Sequence, residues 1–179
     1  KNTPPAPAIA DLLRVFDLPG DITRQLWRQK FKPDQANVYR GWFPLQDGHE
    51  TYKQGSDLGP DLAFGSEVVD PGDPLREATP LPPENALPGW RAAAAAYFTA
   101  MEDVAQVLMH ALARGLGLPE RHFDATFAGG ISTLRLIRYP VRPPDSMIGV
   151  PEDKLWVTHQ GERHYLLGRA HVDSGLMTL

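Results

Sequence analysis

The feature that most constrains this chain is RAAAAAYFTAMEDVAQVLMHALARG, Arg91 to Gly115, which is dense in the best helix formers and has no breaker before its end. It predicts one long helix from about Gly89 to Arg114. Tyr97, Met101, Val104, Leu108 and Leu112, with Ala100, Val107 and Ala111 beside them, recur at three- and four-residue steps and form its apolar stripe. Gly115 and Gly117 supply the stop, and Pro119 to Phe127 reads as a further short helix. His110, near the C-terminal end, reads as a cation set against the negative end of the helix dipole.

Ahead of this helix, Ile9, Leu12, Leu13, Val15 and Phe16 are spaced for a short amphipathic helix. Pro19 and Gly20 break it, and a second helix is expected from Ile22 to about Phe31, buried along Ile22, Leu26 and Trp27. Pro33 to Pro88 is loop-rich, because its prolines remove backbone donors and fix φ. It reads as ordered coil over a helix, anchored by Trp42, Phe43, Tyr52, Phe64 and Trp90. After Gly129 and Gly130 the texture changes: ISTLRLIRYP, DKLWVTHQ and HYLLGRAHVD read as strands, with QGER a hairpin turn. Helices first and strands afterwards predict an α+β fold, or an α region attached to a β-sandwich or barrel. The division falls between residues 1–128 and 129–179.

Composition narrows the function. The 42% hydrophobic and 22% charged content is that of a globular chain, and a formal net charge of −4 speaks against nucleic acid or an anionic membrane as partner. The apolar runs are too short for a membrane span, and no basic and apolar leader opens the sequence, so a cytoplasmic location is the default. With no cysteine, thiolate nucleophiles and Cys-based metal sites are excluded, so any metal needs His and carboxylate ligands. His171 and Asp173 offer them: two apart on an expected strand, they leave the same face as a cis pair. A second His would complete the two-His, one-carboxylate facial triad of non-haem Fe(II) oxygenases. Alone, the His-x-Asp pair also fits polar strand residues of a non-catalytic β-sandwich binding module.

The flanking residues add a resemblance. AHVDSGLMTL is similar to the iron-binding strand of the isopenicillin N synthase-like oxygenases, and STLRLIRYP resembles the strand before it. YRGWFP, ETYKQGSDLG and the long helix with its Leu-Gly-Leu exit resemble the family's upstream region, in the family's order. The resemblance implies a long helix packed on a double-stranded β-helix, or jelly-roll, of which residues 129–179 are the first strands. It implies Fe(II) bound by His171 and Asp173, with 2-oxoglutarate as cosubstrate, O2 and a small-molecule substrate as partners, and oxidation of a C–H bond. Tyr139 matches a Tyr that hydrogen-bonds a carboxylate of 2-oxoglutarate or substrate, and Arg40 resembles a substrate-side Arg. The plant-type pattern has Asn two residues before that Tyr; Ile137 stands there, which suits an oxidase that needs no 2-oxoglutarate.

In the family a second His ligand and an Arg-x-Ser follow about fifty residues later. Both would lie past Leu179, so the chain is expected to be an internal fragment, lacking both ends and inactive alone. No other catalytic residue is assigned. Arg135 and Arg138 read as outward charges, His159 and His164 as exposed strand ends, and His49 and His122 as loop residues.

Overall fold

The computed structural model describes residues 6–173 and 175–179. Helix α1 (Ala6–Leu13) continues into a 3-10 turn at Arg14–Asp17, and α2 (Gly20–Gln25) follows directly on Pro19. The second helix is thus shorter than its periodicity predicts. Its intended continuation is drawn into a sheet instead: Trp42 N–H donates to Leu26 O at 2.7 Å and Arg28 N–H to Trp42 O at 3.0 Å, a parallel bridge centred on Trp27 and Trp42.

That bridge lies against β1 (Gly41–Phe43), which is followed by β2 (Gln54–Leu58) and, far along the chain, β3 (Leu134–Arg138). The three strands are antiparallel in the order β1-β2-β3. Two of them occupy the region expected to be coil. Proline there is sparse until Pro60 and dense only after Pro71, so both strands fit between Pro33, Pro44 and Pro60. Pairing of β2 with β3 carries one sheet across the expected division at 128/129, so the two stretches share it.

One face of this sheet joins the main core. Trp42, Leu58 and Leu136 pack with Leu12, Val15, Leu26, Leu62, Leu87, Trp90 and Ala94. Helix α3 (Asp61–Phe64) and α1 both pack on α4 (Trp90–Gly115), whose 26 residues span about 39 Å. The long helix therefore stands where expected, but its buried face is turned. Trp90, Ala94, Phe98, Met109 and Ala113 are buried, while Val107, Leu108 and Leu112 are exposed. Trp90 sets this rotation: its ring is buried and its indole N–H donates to Leu12 O at 2.9 Å. A Trp ring buried at that depth needs a partner for its N–H, and the Leu12 carbonyl supplies it.

Helices α5 (Asp124–Phe127) and α6 (Glu152–Leu155) are single turns. Strands β4 (Trp156–His159) and β5 (Glu162–Tyr165) form a hairpin. Its turn is Gln160-Gly161, with φ of 51° and 82°, the left-handed pair that a two-residue hairpin needs and that QGER predicts. Strand β5 stops at Tyr165, whereas the sequence pattern carried it to Asp173. No strand lies beside 166–173 among the described residues, and without a neighbouring backbone there is no ladder to extend. The architecture is α+β, with one three-stranded sheet and one hairpin among the described residues. No helix among them is long and apolar enough to cross a membrane.

Candidate functional site

His171 and Asp173 lie in extended coil after the hairpin, not on a strand, and both side chains are exposed. The structure nevertheless brings them together, with His171 Nε2 3.1 Å from Asp173 Oδ1. Each is steered by a local contact. His171 Nδ1 is 2.8 Å from Arg169 O, and Thr178 Oγ1 donates to Asp173 Oδ2 at 3.1 Å. A carbonyl can only accept, so Nδ1 carries a proton and Nε2 is the nitrogen turned towards Asp173. That nitrogen then faces a carboxylate oxygen, an arrangement that needs a proton or a cation between them. A mixed imidazole and carboxylate donor set is what a divalent first-row metal accepts. No group of three or more potential ligands occurs among the described residues, so the pair stands without a third donor there.

Tyr139 follows β3 directly and is 41% exposed. It opens onto a cavity of about 410 Å3 shared with Val141, Arg142, Trp156, Tyr165 and Leu167. Neither His171 nor Asp173 lines this cavity. Beneath it, Arg142 is 9% exposed and joins three segments. Its Nε donates to Ser146 Oγ (3.0 Å), Nη1 to Tyr165 Oη (2.9 Å) and Glu50 O (3.3 Å), and Nη2 to His49 O (2.7 Å) and Ser146 O (2.8 Å). The sequence reading missed Arg142, Trp156 and Tyr165. A signal was present: Trp156 and Tyr165 stand symmetrically about Gln160-Gly161, which makes them cross-strand partners with ring centroids 5.7 Å apart.

Arg40, expected on the substrate side, is fully buried and engaged by the protein itself. Nη1 donates to Leu58 O and Thr133 Oγ1, and Nη2 to the carbonyls of Leu75, Ile131 and Ser132. Burial pushes its guanidinium below the usual arginine range, against the pull of nearby acidic groups. A latch of this kind ties the 75, 131–133 and β2 segments together and leaves its terminal nitrogens no substrate to face.

Arg135 also departs from its expected role. It pairs with fully buried Asp57, its register partner on β2, through Nε at 2.7 Å and Nη2 at 3.0 Å. Arg28 adds a third bond to the same carboxylate at 3.2 Å. The hydrogen bond to Asp57 raises Arg135 above the usual arginine range, whereas burial lowers Arg28 despite Asp57. Arg138 is exposed as expected, and its Nη1 donates to Phe16 O. His159 and His164 flank the hairpin turn and are exposed, and His49 and His122 stay in loops. His110 binds Asp124 Oδ1 at 2.8 Å, clasping α5 to the end of α4.

Comparison with known proteins supplies what this geometry does not. No protein-family model matches the chain. Isopenicillin N synthase of Streptomyces clavuligerus is 32% identical over 112 residues, covering 62% of this chain and 34% of that protein. The 2-oxoglutarate-dependent dioxygenase imqE of Aspergillus flavus is 30% identical over 193 residues, covering 95% of this chain and 48% of that protein. The chain thus spans less than half the length of these relatives. In structure it is similar to a full-length Neurospora crassa protein whose crystal structure was determined in complex with alpha-KG. The TM-score is 0.57 with 22% identity, over 78% of this chain and 44% of that one, which is a likeness of fold. These matches define the class as the oxygenases and oxidases of the non-haem iron, 2-oxoglutarate-type group. Within that class the chain belongs with the isopenicillin N synthase-like family.

Proposed function

We propose that the chain carries part of a non-haem Fe(II) oxygenase centre that oxidises a C–H bond of a small molecule with O2 and 2-oxoglutarate. His171 and Asp173 are two of its iron ligands. The observation that supports this is their facing donor atoms, 3.1 Å apart, each oriented by its own hydrogen bond. Contacts behind a ligand are what fix a metal-binding imidazole in its tautomer. Bound iron would supply an open coordination face for the cosubstrate and O2. The chain's own residues orient: Tyr139, at the cavity mouth, donates its phenol proton to a carboxylate of 2-oxoglutarate or substrate. In this reading β3 and the hairpin are first strands of a jelly-roll core, and the helical region packs against it.

Anaerobic titration of the chain with Fe(II) tests the ligand pair. His171→Ala lowers the affinity at least about tenfold. Unchanged affinity refutes the site and leaves a binding module without metal.

A second reading, an oxidase that takes all its electrons from substrate, is favoured by Ile137. This residue pairs with Gly55 on β2 and puts no polar group two residues before Tyr139. Succinate formed with each turnover supports the first reading, and turnover without succinate the second.

A further inference from the structure

The cavity beside Tyr139 has a chemistry of its own. It is a depression of about 410 Å3 that is largely open to solvent, so it could enclose one face of a small group and not a whole molecule. Its walls are aromatic or aliphatic, apart from the single cation Arg142. A buried arginine at a pocket ordinarily reads as an anchor for an anion. Here that reading fails on stoichiometry. A guanidinium has five N–H donors, and Arg142 directs them to two oxygens of Ser146, the carbonyls of His49 and Glu50, and the Tyr165 hydroxyl. A carboxylate entering the cavity would have to displace one of these acceptors and leave it unsatisfied.

The neighbouring cations are engaged as well. Arg163 lies over the Trp156 ring, 4.5 Å from its centroid, and pairs with Glu152. Lys154 and Arg169 both pair with Glu50.

We propose that this cavity takes a neutral aromatic or aliphatic group of the substrate, and that Arg142 is a strut that holds its wall and not an anion anchor. Tyr165 is the element held. Its ring faces Trp156 edge-on, and its hydroxyl is tied to Arg142 at 2.9 Å. The inference rests on the oxygenase reading only in naming the occupant a substrate, since the cavity contains neither proposed iron ligand.

The test uses the metal-free chain and two probes, indole and indole-3-acetate, which share a ring and differ by a carboxylate. Equilibrium titration is expected to show saturable indole binding. Leu167→Trp, at a rim position 52% exposed, fills the cavity and weakens indole at least tenfold. Leu116→Trp, at an exposed position just past α4 that does not line the cavity, leaves indole binding unchanged. In the Tyr139→Phe variant, where no phenol can donate, indole-3-acetate binds at least threefold more weakly than indole. Tighter binding of indole-3-acetate in that variant overturns the strut assignment. Indole that fails to saturate, or that ignores Leu167→Trp, overturns the pocket. Fe(II) titration reads His171 and Asp173 independently, so either proposal can fail without the other.

Discussion

Asp57→Asn removes a charge from a deeply enclosed ion pair, and its cost can be worked from the contacts. The Asp57 side chain is fully buried and receives three hydrogen bonds from two guanidiniums. Its partners differ: the Arg28 side chain is 17% exposed and that of Arg135 47%. Arg135 can turn to water once the carboxylate is gone. Arg28 cannot do so as easily; it keeps Tyr39 O at 3.2 Å and the Phe43 ring at 4.9 Å. Burial already lowers Arg28 and Asp57 opposes that effect, so the substitution leaves the burial uncompensated. Breaking a buried pair costs about 3–5 kcal/mol, and the exposure of Arg135 places this case near 3. For a domain of this size that is a fall in Tm of roughly 6–12 °C. Urea and thermal unfolding followed by circular dichroism measure it. Asp11→Asn, which breaks the exposed pair with Arg14, is the control and costs under about 0.5 kcal/mol. Equal costs for the two substitutions would refute the desolvation reasoning.

Gly55→Ala introduces a Cβ that would sit 2.1 Å from Leu136 O and 2.6 Å from Phe43 Cζ; a loss of about 3 kcal/mol in urea unfolding is expected. Arg40→Lys cannot reproduce the carbonyl latch with one ammonium and lowers stability by about 2–4 kcal/mol, with Fe(II) affinity unchanged; a stable variant would return Arg40 to the substrate side. The Asp124 carboxyl is held below the usual carboxylate range, first by Arg121 and then by His110. A depressed folded-state value means that its stabilising contribution is complete above about pH 4 and is lost as pH falls through that folded-state value. Between pH 5 and pH 3 the Tm of the unmodified chain should therefore fall more than that of Asp124→Asn, and parallel curves would exclude the clasp.

The long helix, the hairpin and β3 were legible because each is governed by local rules: helix formers between glycines, a Gln-Gly turn, β-branched alternation. What escaped was set by distant partners. The end of α2 is decided by Trp42, fifteen positions beyond Trp27, and the rotation of α4 by a carbonyl on Leu12. Arg135 looked solvated because its partner lies 78 residues upstream. In the candidate site the His171 and Asp173 pair could be read from spacing, although coil and not strand brings the two together. The cavity could not be read, because Arg142 builds it from three separate segments.

The pairing of Asp57 with Arg135 also favours one alignment of the sheet over its neighbours. Strands β2 and β3 are joined by 75 intervening residues, so no turn dictates their alignment. A slip of one position would set Asp57 opposite Leu134 or Leu136 and strand a carboxylate with no cation across from it. Misaligned sheets are thereby penalised, and a contact made over a long stretch of chain is given one favoured alignment.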